Sequence, residues 1–186
     1  EFAISLAGVY QKENAVLALN ALEELDRLGW TTTMEQRKDG LLHTSWKGRF
    51  TVIHKKPLFI VDGAHNAGAA DKMAESIRHY FNGKKLIYIM GVFADKEYKI
   101  VLEKTARFAE KIYTIETPDN PRALPAEELA KAARGYNSSA ESTKSIKDAV
   151  EKAFSCAGDD ENSVILAFGS LSFIGALTDA VEEYVG

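Results

Sequence analysis

The sequence predicts an α/β domain with a doubly wound, mostly parallel sheet and helices on both faces. Short apolar blocks at 58–61, 85–90 and 163–168 have the composition of strands that are buried on both sides. Each block is followed by a segment whose apolar residues recur at helical spacing. This alternation repeats four or five times along the chain, with no internal repeat or low-complexity tract, and is typical of a parallel α/β sheet.

Apolar periodicity, glycines and prolines predict the individual elements. The first helix covers 10–28, where the leucines fall on one stripe and Gly29 ends the pattern. Residues 30–48 lose this periodicity and are interpreted as a connector. The remaining predicted elements are, in order, a strand FTVI from 50, a strand 58–61, a helix ending at Gly83, a strand 85–90, a helix 96–110, a strand 111–116, a helix 126–134, a weak strand 138–142, a helix 144–157, a strand 163–168 and a helix through Val181.

Composition argues against several kinds of partner. The 186 residues carry 23 basic and 27 acidic side chains, so there is no global electrostatic reason to bind nucleic acid or a membrane surface. The only cysteine, Cys156, cannot form an intrachain disulfide, and we therefore expect a reducing, cytoplasmic location. No apolar run approaches the roughly 18 residues that a transmembrane helix needs. The chain lacks a signal-peptide pattern and starts almost directly with a helix, which suggests a fragment of a longer protein.

The densest polar cluster follows the strand 58–61. Asp62, His65 and Asn66 lie in a tight loop at the carboxyl end of that strand, where open α/β sheets bind ligands. The N–H groups that begin the next helix are expected to face the same place. The loop alone fits three interpretations: a turn in which Asp62 binds backbone amides, a catalytic base with its orienting carboxylate, or a metal pair. No further ligand lies at a suitable spacing, so no metal is expected here.

Three other positions are candidates. Gln11 and Asn14 share a face at the start of the first helix, where side-chain amides either cap the backbone or reach a ligand. Arg49 follows Gly48 at a strand entrance and is either a surface charge or a phosphate ligand. Ser170 stands at the start of the last helix, where an N-cap is the commonest role. The chain contains neither a serine-hydrolase elbow nor a P-loop nor a dinucleotide-binding glycine motif.

The segment DGAHN at 62–66 resembles the signature of the folylpolyglutamate synthase/dihydrofolate synthase family, the folate branch of the Mur-ligase superfamily. Four further segments occur in the order found in that family: LAGVYQKENAVLALNAL at 6–22, SWKGRF at 45–50, GVFADKEY at 91–98 and FGSLSFIG at 168–175. The chain departs from the family at Lys47 and Ala67, where proline is usual, and at Ser172, where an aromatic residue is common. The resemblance spans nearly the whole chain.

This resemblance implies a domain organisation and a reaction. Residues 46–186 are expected to form the Rossmann-like C-terminal domain of a Mur-type ligase, and residues 1–45 the tail of a truncated upstream ATPase domain with its linker. The implied enzyme uses ATP to activate a carboxylate of folate or dihydropteroate as an acyl phosphate and then joins L-glutamate to it. The sequence does not decide whether the implied enzyme adds the first glutamate, extends a polyglutamate tail, or does both.

The resemblance also implies roles for individual residues. Asn14, Arg49 and Asp62 are expected to contact ATP. His65 is the expected catalytic residue and, with Ser170, is expected to serve the glutamate site. Mg²⁺ is expected to accompany ATP on ligands that lie upstream with the P-loop, and the full-length enzyme is expected to be a monomer.

Two other classes of function stay open at this point. One is a nucleotide- or metabolite-binding α/β module without chemistry of its own, which predicts ligand affinity in the isolated chain. The other is a metal-dependent hydrolase built on Asp62 and His65, which predicts a bound metal. The ligase interpretation predicts little of either until the upstream part is restored.

Overall fold

A computed structural model describes residues 1–186, and its centre is a six-stranded sheet. The order of strands in the sheet is β1-β2-β6-β3-β4-β5; β1 runs antiparallel to β2, and every other pair of neighbours is parallel. The predicted fold class is therefore confirmed. The strands are β1 (Thr51–Lys55), β2 (Leu58–Val61), β3 (Lys85–Met90), β4 (Lys111–Thr114), β5 (Ala140–Ser142) and β6 (Ser163–Phe168).

Seven α-helices accompany the sheet: α1 (Gln11–Arg27), α2 (Met34–His43), α3 (Ala67–Tyr80), α4 (Tyr98–Thr105), α5 (Ala126–Arg134), α6 (Ile146–Ala157) and α7 (Ile174–Val185). Helices α3, α4 and α5 pack on one face around 22 buried residues. Helices α6 and α7 pack on the other face around 18. Because both faces are covered, the central strands are buried on both sides, and this explains their unbroken apolar sequences.

Most predicted boundaries agree with the structure. The strands expected at 85–90 and 163–168 coincide with β3 and β6. The helix expected over 96–110 is shorter, because α4 ends at Thr105 and a 3₁₀ turn, Ala106–Phe108, follows. The last helix continues to Val185, four residues past the predicted end.

The predicted connector at 30–48 is wrong over the ten residues of α2. This helix buries no residue, so it has no apolar stripe for periodicity to detect. Its start is a capping box: the Thr33 hydroxyl accepts from the Gln36 N–H at 3.2 Å, and the Gln36 side chain accepts from the Thr33 N–H at 2.8 Å. The sequence carries this signal as Thr-x-x-Gln, but no apolar periodicity accompanies it.

Helix α1 has an apolar face that the rest of the chain does not cover. Only Gln11 in this helix is buried, and Leu17 is 69% exposed. Val16, Leu25 and the following Leu28 are exposed as well. A helix with an apolar stripe ordinarily buries it, so the stripe of α1 has no partner within these 186 residues.

The carboxyl ends of β2 and β6 form the topological switch point of the sheet. These strands are neighbours, but the chain leaves β2 for α3 on one face and leaves β6 for α7 on the other. Such a divergence opens the crevice in which doubly wound folds bind ligands. Residues 62–66 and 169–172 flank this crevice. None of the helices combines the length and apolar character required to cross a membrane.

Candidate functional site

Asp62, directly after β2, is the hub of the candidate site. Its side chain is almost fully buried, with the residue 4% exposed. Oδ2 accepts hydrogen bonds from the Tyr10 hydroxyl at 3.0 Å and from the Phe50 N–H at 2.9 Å, and Oδ1 accepts from the Ala64 N–H at 2.8 Å. A carboxylate offers about four acceptor positions. Asp62 is therefore held by three donors and keeps room for one more.

The charge balance keeps Tyr10 as the donor in this group. Burial raises the pKa of the Asp62 carboxyl above its ordinary value. The hydrogen bonds from Tyr10, Ala64 and Phe50 and the charge of Arg49 lower it, but only in part. The pKa of the Tyr10 hydroxyl is raised by its own burial and by the neighbouring Asp62. The phenol thus stays protonated at neutral pH and points its hydrogen at the carboxylate.

Phe50 adopts a backbone conformation that is rare for a residue with a side chain. Its φ is +49°, in the left-handed region. The bond from its N–H to Asp62 and the stacking of its ring on Phe81, with centroids 6.1 Å apart, hold this conformation in place. Strained residues of this kind persist where the surroundings fix them, and they often lie at functional sites. Phe50 directly follows Arg49, so the strained residue adjoins a predicted site residue.

Arg49 also closes a tight turn. Its N–H donates to the Trp46 carbonyl at 3.3 Å, so Lys47 and Gly48 form the corner. Gly48 has φ +80°, and a β-carbon there would lie 2.8 Å from Leu171 Cδ2, so the corner requires glycine. The expectation that Arg49 projects from a constrained turn is confirmed. Lys47 occupies the corner position where the resembling family usually has proline.

The three residues expected to contact ATP line one cleft of about 460 Å³. Asn14 reaches it from α1, Arg49 from the turn and Asp62 from the end of β2. The Arg49 guanidinium makes no hydrogen bond and no ion pair with the protein, so a half-buried cation is left for a ligand. The other lining residues are Leu6, Tyr10, Gln11, Glu13, Trp46, Gly68, Ala69 and Lys72.

The side chains of α1 and α3 meet across this cleft. Asn14 Nδ2 donates to Gln11 Oε1 at 2.9 Å, and neither amide caps the helix, so the capping interpretation is wrong. Asn14 Oδ1 has no protein partner. Lys72 Nζ lies 3.0 Å from Glu13 Oε2 and places a second cation at the cleft wall.

The expectation that the first N–H groups of α3 are open to a ligand holds only in part. Asn66 Oδ1 accepts from the Ala69 N–H at 2.9 Å, and Glu97 Oε2 accepts from the Ala67 N–H at 3.2 Å. Only the Gly68 N–H in this first turn has no protein acceptor. Gly68 lies on the cleft wall, so the helix presents one backbone donor there rather than a set of three.

His65 does not pair with Asp62, although the two are three residues apart. Its Nδ1 lies 2.7 Å from the Gly63 carbonyl. A carbonyl oxygen only accepts, so Nδ1 carries the hydrogen, and Nε2 has no protein partner. The interpretation of Asp62 as the carboxylate that orients His65 is therefore wrong. The chain contains no group of three or more histidine, cysteine or acidic residues that could hold a metal ion, which leaves the hydrolase alternative without support.

Ser170 acts as a helix cap. It is 6% exposed, its Oγ accepts from the Ser172 N–H at 3.2 Å, and this bond caps the 3₁₀ turn Leu171–Phe173 before α7. The Ser172 hydroxyl lies 2.8 Å away. The N-cap interpretation is confirmed, whereas a contact with glutamate stays a prediction.

The structure separates the predicted residues into two groups. His65 and Ser170 do not line the 460 Å³ cleft. Their loops touch each other instead, because Leu171 packs on Gly63: a β-carbon at Gly63 would lie 2.5 Å from Leu171 Cδ2. The cleft residues Asn14, Arg49 and Asp62 thus form one group, and the two crevice loops carry the other.

Sequence reasoning missed three residues of the cleft. Tyr10 immediately precedes Gln11, and Trp46 begins the WKGR segment, so both stood inside recognised motifs without a role. Lys72 had no local signal, since its relation to Glu13 spans 59 residues.

Comparisons with known proteins match this chain to a described family. Residues 48–171 match the family described as Mur ligase, glutamate ligase domain. A dihydrofolate synthase/folylpolyglutamate synthase from Bacillus subtilis is 28% identical over 173 residues, which is 91% of this chain and 39% of the relative. The chain therefore spans about two fifths of the length of that protein.

Solved structures of similar proteins share the fold. Mycobacterium tuberculosis folylpolyglutamate synthase, complexed with ADP and AMPPCP, superposes with a TM-score of 0.82 at 25% identity, covering 99% of this chain and 41% of that one. A bifunctional folylpolyglutamate synthase/dihydrofolate synthase with Mn, AMPPNP and L-glutamate bound gives a TM-score of 0.70 at 25% identity, covering 81% and 35%.

Proposed function

The chain belongs to the Mur ligase family, whose glutamate ligase domain it matches, and from this premise we propose that it is the C-terminal part of an ATP-dependent amide ligase. The proposed reaction adds L-glutamate to a folate and, in a bifunctional enzyme, to dihydropteroate. One observation carries the proposal. Asn14, Arg49 and Asp62, which come from three separate segments, line a single cleft, and the guanidinium of Arg49 has no partner in the protein.

In this proposal, residues 46–186 form the ligase domain and residues 1–45 complete an upstream ATPase domain. The uncovered apolar stripe of α1 supports such a partner, and the matched family begins at residue 48. The full-length enzyme is proposed to be a monomer in the cytoplasm, with small-molecule substrates and no nucleic-acid or membrane partner.

The cleft residues suit a nucleotide. A volume of about 460 Å³ lies within the usual range for small-molecule sites. Arg49 provides an unpaired positive charge for phosphate oxygens, and its fork of donors suits a phosphate, whereas the charge of Lys72 is already paired with Glu13. The remaining acceptor position of Asp62 suits a hydroxyl donor, such as a ribose, and the free Oδ1 of Asn14 suits an amino group.

The two crevice loops are proposed to serve the amino acid. In the reaction, the terminal phosphoryl group of ATP passes to a carboxylate oxygen of the folate. The amine of L-glutamate then attacks the carbonyl carbon, loses a proton, and phosphate leaves as the amide forms. The unpartnered Nε2 of His65 is suited to accept a proton from the glutamate ammonium, and the protonated ring could then donate from Nε2 to the glutamate carboxylate. The Ser170 hydroxyl offers one neutral hydrogen bond beside it.

The proposal places two parts of the catalytic machinery, the magnesium ligands and the P-loop, outside this chain. Magnesium does not fit the residues present, because they form no acidic or histidine cluster and three N–H and O–H donors already hold Asp62. Its ligands and the P-loop are assigned to the upstream domain. Closure of the two domains over the acyl phosphate would exclude water from it.

Phosphate release tests the proposal. The full-length protein is expected to release phosphate only when ATP, a folate and L-glutamate are all present, and the 186-residue chain alone is expected to fold without turnover. Phosphate release that does not depend on glutamate would contradict the ligase assignment. Turnover by the isolated chain would contradict the proposed division of the site.

A further inference from the structure

Trp46 is an aromatic residue of the nucleotide cleft that nothing in the protein engages. It is 62% exposed although it lines the cleft beside Arg49 and Asp62. Its indole takes part in no aromatic pair, no cation–π contact and no hydrogen bond. A large aromatic face left uncovered in a binding cleft is a surface that a planar ligand group can cover.

The backbone of Trp46 is anchored even though its ring is free. Its carbonyl accepts from the Arg49 N–H at 3.3 Å and from the Thr51 hydroxyl at 3.1 Å. The turn therefore presents an indole at its first position and a guanidinium at its last, both toward one cleft. A nucleotide has the matching arrangement, with a flat aromatic base at one end and anionic phosphates at the other.

The other cleft residues leave this task to Trp46. The ring of Tyr10 is packed against Gly8, where a β-carbon would lie 2.9 Å from Tyr10 Cε1, and its hydroxyl is bound to Asp62. Leu6 adds a half-buried apolar surface but no aromatic face. Exposure alone does not single out Trp46, because Trp30 is 74% exposed. Trp30 does not line the cleft, and it therefore serves as a control.

We propose that the indole of Trp46 stacks on the nucleobase of bound ATP and gives the cleft a preference for purines. The inference rests on the proposed function, since it deepens the nucleotide role of the same cleft. Stacking is tolerant of base identity but grows with the size of the ring system, so a purine gains more than a pyrimidine. Trp46 would thus distinguish bases by the area of overlap between its indole and the base. Asn14 would instead distinguish them by a hydrogen bond to one edge of the base.

The test is calorimetric titration of the full-length protein with ADP, CDP and tripolyphosphate. Trp46→Ala is expected to weaken ADP binding roughly 5- to 150-fold, the range for loss of one base–aromatic stack. Trp46→Phe keeps an aromatic face and is expected to lose less than about tenfold. Trp46→Ala should also narrow the preference for ADP over CDP and leave the affinity for tripolyphosphate unchanged. Trp30→Ala is the matched control and should leave all three affinities unchanged.

The outcomes separate this inference from the proposed function. If the parent protein binds ADP and Trp46→Ala stays within about twofold of it, the stacking role is wrong while the nucleotide cleft stands. Equal losses for ADP and tripolyphosphate would also overturn stacking, because they would assign Trp46 to the phosphate end or to the shape of the turn. If the parent protein binds no ADP at all, the proposed function itself fails.

Discussion

The Tyr10 hydroxyl donates a 3.0 Å hydrogen bond to Asp62 Oδ2, which joins the segment before α1 to the end of β2 across 52 residues of sequence. The bond ties the residue before α1 to the sheet, and Asn14 in the first turn of α1 lines the same cleft as Arg49. The β1–β2 hairpin already places Arg49 near Asp62, whereas Asn14 joins them through long-range contacts of the α1 segment such as this one, which no local pattern encodes.

Removing the Tyr10 hydroxyl tests how much this hydrogen bond contributes to stability. Tyr10→Phe is expected to lower the free energy of unfolding by about 1.5–3 kcal/mol, because the lost hydrogen bond is to a charged acceptor. Urea unfolding of the 186-residue chain at neutral pH measures the change. Tyr136→Phe is the control, since the hydroxyl of this exposed tyrosine has no partner. Equal stability of the two variants would show that the Tyr10 contact contributes nothing.

Asp62 has a structural role beside its predicted ligand role. Its carboxylate accepts from the N–H of the buried Phe50, whose backbone is strained, so its replacement is expected to reduce stability, without unfolding the domain, as well as to loosen ATP. Asp62→Asn leaves at least one of its three donors without an acceptor and is expected to destabilise the chain by about 1–3 kcal/mol. Asp159→Asn makes the same change in charge at an exposed site without a partner and should be neutral. Urea unfolding that fails to distinguish the two variants would refute the structural role.

The acid sensitivity of the domain has an identifiable contributor in Glu141 on β5. Hydrogen bonds from Lys111 at 2.8 Å and Lys152 at 2.7 Å lower the pKa of this carboxyl to about 2. Because the folded pKa lies below the value of about 4.3 in the unfolded chain, the pairs stabilise the fold above that pH, and their contribution is lost as the pH falls toward 2.

Glu141→Gln is therefore expected to destabilise the chain at pH 7 by roughly 0.2–1 kcal/mol, a modest value because the pairs are partly exposed. The difference from the parent should shrink between about pH 4.5 and pH 3. Urea unfolding at several pH values measures it. Glu161→Gln, which removes a mostly exposed pair with Lys56, should have less effect at pH 7. A difference that grows toward low pH would contradict the assigned direction.

Particular residues show why the sheet was predictable and parts of the site were not. Strands β3 and β6 carry unbroken apolar sequences, because burial on both faces leaves no polar position. Helix α2 was missed because a capping box, and not an apolar face, defines it. The spacing of Asp62 and His65 suggested a pair, but the loop turns Asp62 toward Tyr10 and Phe50 and leaves His65 bonded to Gly63.

The motif residues Asn14, Arg49 and Asp62 were found because they stand in short segments with a shared order. Their common cleft was also predictable in outline, since Asp62 and Arg49 flank β1 and β2. The contributions of Tyr10, Lys72 and Trp46 depend on how α1, α3 and the turn at 46–49 approach one another in space. Sequence spacing contains no information about that approach.

The most direct test of the account is a steady-state comparison of Arg49→Ala and His65→Ala in the full-length protein, with ATP and L-glutamate varied separately. Arg49→Ala should weaken ATP use roughly 10- to 150-fold, as expected for lost charge-assisted hydrogen bonds, and leave the KM for L-glutamate unchanged. His65→Ala should weaken the use of L-glutamate and leave ATP binding intact, with Ser170→Ala acting on the same substrate more mildly. A His65→Ala defect confined to ATP, or one that only lowers thermal stability, would contradict the two-site division.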